Sequence, residues 1–362
     1  MYYLVRALGR VPRPFRLKVF CKPRHAPLLQ AVLAPHDELV VVPLRNRAHL
    51  LAYYELALPR KLSQEKVALF HATHYLTPPA RSHYRLITTV HDMGFFLFPD
   101  KYPFAKRLYF RKRFRAFLER ADRIWTVSHS TRRSVQQFFP EFHWKLVTIY
   151  PGVDHLDEVE VCPHLRMEKP YLLSVNTIEV RKNIQFLIRV FNRLKKEFIP
   201  DLRLVIVGYP ANGYRRVQRA YRASPYREDI RFLTGISLPE LKTLYRNALC
   251  FVSASEYEGF GFTPFEAIRE GIPAFLFQNN TVSEILGSHP YHFAHLNEAY
   301  WAVSMGRAYQ QGLPERGLCS RIAHLTWRET AHRAVQLYGS VLAGNWEHSL
   351  VEAEAKPQMT PF

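Results

Sequence analysis

The sequence predicts an α/β fold made of two doubly wound parallel sheets. Three observations carry that expectation. Short apolar runs alternate with longer amphipathic stretches, the pattern of parallel βα units. A length of 362 residues suits about two domains at roughly 100–200 residues each. A polar stretch with few periodic residues separates Pro151 from Pro170. Residues 1–155 are therefore expected to form one domain and 156–340 a second. Periodicity is lost over 341–362, which reads as a fraying tail.

In the first part, strands are expected at 15–20, 39–42, 67–70, 86–90, 123–127 and 146–149, with helices at about 1–9, 104–120 and 129–138. In the second, strands fall at 171–176, 203–207, 230–233, 249–252 and 274–277. Helices fall at 183–197, 212–222, 238–246, 264–270, 282–286 and 327–340. Ligands of such folds sit beyond the carboxyl ends of strands, so the chemistry is sought in the loops that follow them.

Apolar residues make up 48% and charged residues 22%, which excludes a disordered chain. The net charge of +19 is unevenly placed. Residues 1–150 hold 26 Lys and Arg against 9 Asp and Glu, a surplus of 17, whereas the rest hold 24 against 22, a surplus of 2. One half of the protein is thus expected to face something anionic. Cys21, Cys162, Cys250 and Cys319 lie far apart without a CxxC, and read as small hydrophobes in a reducing compartment. No run approaches the roughly 18 apolar residues of a membrane span. The start MYYLVRALGR carries Arg6 and Arg10 and lacks a signal peptide's apolar core, so the expected location is cytoplasmic.

The loop 253–273, SASEYEGFGFTPFEAIREGIP, carries the strongest chemical signal. Gly259 and Gly261 allow a tight turn close to a ligand. Thr263 reads as an N-cap, with Pro264 at the first helical position and Glu266 three residues after the cap. A Gly-rich turn into a helix start is a ready anion site. Alone, Glu266 reads as a capping-box glutamate and Glu258 as an exposed loop carboxylate. Eight residues apart and flanking a phosphate turn, they read as a pair, one meeting a sugar and the other a ribose diol.

Glu258-x7-Glu266 within EGFGFTPFEAIREGIP resembles the donor site of family 4 glycosyltransferases, retaining enzymes of the GT-B fold. The resemblance runs in order along nearly the whole chain: TVHD (89–92), ADRIWTVSHSTRR (121–133), PGVD (151–154), SVNTIEVRKN (174–183), LVIVG (204–208), FLTGIS (232–237) and ELKTLYRNA (240–248). TIEVRKN after a strand resembles the mannosyl- and rhamnosyltransferase-like branch that builds surface polysaccharides. The resemblance implies two Rossmann-like domains facing a cleft. It also implies a hexose transferred with retention from a nucleotide sugar, GDP-sugar favoured over UDP-sugar, to a glycan or lipid-linked acceptor. No further cofactor is implied.

By that resemblance Lys182 and Arg181 hold the donor pyrophosphate, Glu266 meets the ribose, and Glu258 meets the sugar as a catalytic residue. Gly259, Phe260 and Gly261 form the phosphate turn, and Gly235 with Ile236 cradles the base. His91 faces the donor from the first domain as a second catalytic residue. Read alone, Arg181 and Lys182 are equally a solvated basic face, His91 a satisfied turn residue, and the glycines ordinary strand-end turns. Asp92 orients His91 or caps a turn, and Ser128 reads as a helix N-cap. Where the family commonly carries glycine, this chain has Asn176. No DxD follows a strand, and no His/Cys/Asp cluster has metal-ligand spacing, so no metal is expected.

The resemblance also starts late. Met1–Arg10 matches the family's first helix and 15–20 its second strand. The first strand and its Gly-rich turn are therefore expected to be missing, through truncation or because another element fills that edge. This motivates an alternative, an inactive relative acting as a binding or scaffold subunit. The stretch 101–123 holds nine Lys and Arg with interleaved aromatics. It reads as an element docking on an anionic membrane at the inner face, or as an ordinary helix with Phe110, Phe114 and Phe117 in the core. A nucleic-acid groove is the third and least supported reading, since no RRM, KH or zinc-finger pattern is present.

Overall fold

The structure, a computed structural model, describes residues 1–43, 47–79, 83–102, 104–165, 167–168, 170–289, 291–313 and 319–344. The described chain divides into two compact units. The first comprises Met1–Met93, Leu108–Pro151 and 327–344. The second comprises Gly94–Arg107 and Gly152–Thr326.

The first unit carries β1 (Lys18–Cys21), β2 (Glu38–Val41), β3 (Leu69–Ala72), β4 (Arg85–Val90), β5 (Arg123–Thr126) and β6 (Leu146–Thr148). All pairs are parallel, but the sheet is split into β1-β2 and β3-β4-β5-β6. The Leu17 carbonyl accepts from Glu38 N–H and the Cys21 carbonyl from Val42 N–H, so Lys18 and Phe20 turn their backbone groups away from β2. The Ala68 carbonyl accepts from Arg85 N–H, so Leu69 and His71 turn theirs away from β4. Between these edges lies a cavity of about 490 Å³, lined by β1, β3 and the helix Tyr2–Leu8. The split stands where the sequence expects the first strand to be missing.

Strand β1 begins three residues later than expected. Arg13 bonds the carbonyls of Leu8 and Phe15 and pairs with Asp37, which in turn accepts from Leu17 N–H, so 13–17 is tethered as a connection. The helical run over 47–64 is not among the expected helices, and it contains Pro59. The chain accommodates the proline with a π turn at Tyr53–Ala57 between Arg47–Ala52 and Leu58–Gln64.

The expected boundaries change at two places. The helix Trp327–Leu342 groups with the first unit because Ala331, Ala334, Leu337 and Val341 pack on Leu4, Leu8, Ile87 and Trp125. The segment Gly94–Arg107 groups with the second, where Phe98 stacks near Tyr257 at 5.5 Å and Lys101 pairs with Glu256. Residues 345–362 of the expected tail lie outside the described residues.

The helix Phe104–Arg120 settles part of the basic stretch. Phe110, Phe114 and Phe117 are buried, with Phe110 and Phe114 against Tyr75. These aromatics are core, which removes them from a membrane reading. Several cations are also matched: Arg113 and Arg120 with Glu55, Arg115 with Glu141, and Arg107 with Asp100.

The second unit carries β7 (Tyr171–Val175), β8 (Arg203–Val207), β9 (Ile230–Leu233), β10 (Cys250–Ser253), β11 (Ala274–Phe277) and β12 (His292–Phe293). They form one parallel sheet in the order β12-β11-β10-β7-β8-β9. The short β12 and the helix Glu298–Gln310 were not expected; the helix is anchored by Trp301, which is fully buried against Phe186 and Phe293. Strand order reverses between β7 and β10. The loops after those two strands therefore emerge side by side, which is where a doubly wound sheet binds its ligand. Cys250 is buried and Cys21 and Cys162 half-buried, all three as free thiols.

Candidate functional site

The loop after β7 does not enter its helix directly. Val180–Lys182 form a 3-10 turn, and Asn183 takes a left-handed conformation (φ 49°) before the helix Ile184–Glu197 starts. The two cations thus sit in a turn ahead of the helix. Across the loop, Ile178 bridges Pro210, and Ile178 N–H donates to the Tyr209 carbonyl at 2.9 Å. This stitching demands Gly208. A Cβ there, at φ +151°, would stand 1.8 Å from the Asn176 carbonyl oxygen. Asn176 donates from its backbone to Val207 and from its side chain to Ser174.

The loop after β10 brings Glu258 onto those cations. Lys182 Nζ and Ser255 Oγ (2.7 Å) both meet Oε1 of Glu258, and Arg181 donates to Oε2 at 3.1 Å and to the Tyr257 carbonyl at 2.7 Å. Side-chain exposure is 17% for Arg181, 10% for Lys182 and 13% for Glu258, so the cluster is largely withdrawn from solvent. Burial works to raise the Glu258 pKa. The charges of Lys182 and Arg181 and the bonds from Lys182 and Ser255 outweigh it and hold the carboxyl below its ordinary value. Asn280 and Thr281 side chains donate to the Glu258 carbonyl at 2.9 Å each, fixing the backbone behind the carboxylate.

The turn Gly259-Phe260-Gly261 folds back on Glu258. A Cβ on Gly261 (φ +85°) would meet the Glu258 Cγ at 3.1 Å. The helix starts at Phe262 with Gly261 at the cap position, not at Pro264 with Thr263 as cap, because the left-handed glycine already turns the chain into the helix. No side chain caps it. Glu266 makes no capping box. Its Oε2 accepts from the Tyr245 hydroxyl at 2.8 Å, and its Oε1 lies 3.2 Å from His155 Nε2. The ordinary local explanation of this glutamate is thereby withdrawn.

Gly235 and Ile236 follow β9, and the Tyr209 hydroxyl lies over Gly235, 3.5 Å from where a Cβ would stand. His91 belongs to the first unit, after β4, and its Nε2–H donates to the Thr73 carbonyl at 2.8 Å. That tautomer leaves Nδ1 as the acceptor of the neutral ring. Ser128 is the N-cap of His129–Phe138, accepting from Thr131 N–H. The sequence reading missed His155, Tyr245, Ser255, Asn280 and Thr281. Asn280 and Thr281 follow β11 and His155 follows PGVD after β6, so the strand-end rule already pointed at them. Among the described residues, no group of three or more His, Cys, Asp or Glu is placed to hold a metal.

Two family profiles match the chain, one described as "Glycosyltransferase Family 4" over residues 1–155 and one as "Glycosyl transferases group 1" over 162–298. The O-antigen chain mannosyltransferase RfbU of Salmonella typhimurium is 26% identical over 290 residues, covering 80% of this chain and 77% of that protein. O-antigen chain mannosyltransferase B of Escherichia coli is 28% identical over 260 residues, covering 67% of each. The solved structure of sucrose-phosphate synthase from Thermosynechococcus elongatus superposes with a TM-score of 0.71 at 18% identity, over 94% of this chain and 92% of that one. The paired parallel sheets, the switch-point carboxylate among cations and these matches agree, and the chain belongs to the family 4 glycosyltransferases, with the GT-B fold.

Proposed function

We propose that this glycosyltransferase moves a hexose, mannose foremost, from a nucleotide sugar to a growing surface glycan or lipid-linked acceptor, with retention of anomeric configuration. The observation that carries the reading is the buried cluster of Arg181, Lys182 and Glu258 at the switch point. Arg181 also donates to Glu179 at 3.0 Å, so two buried cations stand between two carboxylates, and a pyrophosphate can claim both cations by displacing Glu258. Glu258, released by the same event, is then free to accept a sugar hydroxyl. Lys182 and Arg181 stabilise the negative charge that builds on the leaving phosphate. The acceptor hydroxyl attacks the anomeric carbon on the face that the phosphate leaves and passes its proton to the departing phosphate oxygen, so no side-chain nucleophile is named. Glu266 takes the ribose and Gly235 and Ile236 the base, and His91, in the first unit, is assigned as the second catalytic residue.

The names of the O-antigen mannosyltransferase relatives support mannose, and a GDP-linked donor belongs to the same proposal. Calorimetric titration with GDP and UDP, followed by transfer from GDP-mannose and product anomer assignment by NMR, tests the proposal. GDP binding tighter than UDP and an α-linked product are expected. Failure of both nucleotides to bind overturns it. No helix among the described residues is long and apolar enough to cross a membrane. Placement in the cytoplasm, with docking on the anionic inner face, is part of the same proposal. It is supported by Arg111 and Lys112, which are exposed on the basic helix and have no carboxylate partner among the described residues.

A further inference from the structure

Glu266 is held at both oxygens by groups that no local rule requires. Tyr245, from the helix Leu238–Asn247, donates to Oε2, and His155, from the connection after β6, meets Oε1. Tyr245 is fully buried, and burial followed by the nearby Glu266 charge pushes its hydroxyl pKa well up, so it remains a donor at any working pH. The side chains of His155 and Glu266 are each only 8% exposed, and the His155 ring stands edge-on to Phe262 at 6.4 Å. A carboxylate offers about four lone-pair sites. Two are taken here, one on each oxygen, and one remains on each.

We infer that His155, with Tyr245, is a positioning residue that presents the two remaining lone pairs of Glu266 to the vicinal hydroxyls of the donor ribose. The inference rests on the assignment of Glu266 to the ribose made above. Tyr245 alone fixes one oxygen and leaves the carboxyl plane free to rotate about that contact. A second donor on the other oxygen sets the plane before the ligand arrives, so the ordering cost is not met at binding. Phe262 opens the same helix as Glu266 and flanks the His155 ring, so the phosphate turn and the ribose carboxylate are placed by one contact set.

The test compares affinities of GDP and UDP with those of their 2′-deoxy and 3′-deoxy forms, in the full chain and in His155→Phe, His155→Gln and Glu266→Gln. The wild-type chain should prefer each ribonucleotide over its deoxy forms by tenfold or more. His155→Phe keeps the ring against Phe262 but removes the donor. It should shrink that preference to about twofold, through weaker ribonucleotide binding, with the deoxy forms bound as before. His155→Gln should restore most of the preference. If His155→Phe keeps the full preference, or weakens ribo and deoxy forms equally, His155 is only structural and the inference fails. If Glu266→Gln leaves the preference unchanged, the ribose assignment itself fails, which is a separate outcome.

Discussion

In the second unit, β7 and β10 are paired on both sides, and the loops they emit meet over Glu258 with every charge of the cluster matched. In the first unit, β3 is paired on one side only, and its other edge opens on a cavity of about 490 Å³. The same parallel βα pattern thus gives a closed scaffold in one unit and an interrupted one in the other. Buried charge is costly unless each member is bonded, and a closed sheet supplies the fixed backbone that makes such bonding possible. The interrupted unit buries titratable groups another way. His71 lines the cavity at its split, and His71, His74 and His91 are all held toward the neutral form.

The largest effect that sharpens this comparison is expected from Lys182→Ala. It should lower kcat/KM by about 10²–10³-fold by removing a preorganised cation from the leaving phosphate. Arg181 still meets Glu258, so the fold should survive with a loss of about 1–3 kcal/mol. Lys145 of the first unit is the control. It is equally buried but donates only to the Glu119 and Ala121 carbonyls. Lys145→Ala should cost comparable stability and leave donor affinity intact. Steady-state kinetics beside thermal unfolding reads both. Equal kinetic losses in the two variants would mean that Lys182 is a structural cation.

Much of the second unit is legible in the sequence because local and global signals agree there. The runs YLLSVN, RLVIV and LCFV are bounded by turns, and Glu258 and Glu266 stand at fixed spacing. What could not be read is the partner of each group. Glu266 follows Thr263 by three residues and so imitates a capping box; only the fold shows that Tyr245 and His155 claim it. Likewise the Asn176 carbonyl leaves no room for a Cβ on Gly208, a residue 32 positions away that β7–β8 pairing brings opposite. In the first unit, Arg13 holds 13–17 off the sheet through a contact to Asp37, which no periodicity encodes.

A second effect separates the units by acid. Burial first, then the neighbouring His91, amino-terminal and His74 charges, lowers the His71 pKa to about 3. Burial and His91 lower that of His74 to about 4. In the second unit burial lowers His292 to about 4, against a raising bond from the Gly287 carbonyl. These rings are neutral in the fold and protonate in the unfolded chain below about pH 6.5. Their contribution is therefore complete above that pH and is lost as pH falls toward 4 or 3. At pH 5 each costs up to about 2 kcal/mol. Burial also holds His91 of the first unit and His289 of the second toward the neutral form, so among the described residues the first unit carries three such rings against two. Pulse proteolysis between pH 7 and 5, with cleavage sites mapped by mass spectrometry, should open first-unit sites first. Simultaneous opening, or the reverse order, breaks the contrast.

The smallest effect concerns surface charge, where pairing rather than number should decide. The surplus of 17 cations over residues 1–150 is partly consumed on the basic helix, because Arg113 and Arg115 already face Glu55 and Glu141. Arg111 and Lys112 are exposed and have no carboxylate partner among the described residues. A cation near an anionic bilayer contributes about 1 kcal/mol and is screened by salt. Arg111→Gln with Lys112→Gln should therefore weaken retention on phosphatidylserine-containing vesicles by about tenfold at low salt and leave phosphatidylcholine vesicles unaffected. Arg113→Gln with Arg115→Gln should do less, since those charges are already answered within the fold. Equal losses from the two pairs would show that the helix acts by total charge, and the distinction between matched and unmatched cations would not extend from the buried cluster to the surface.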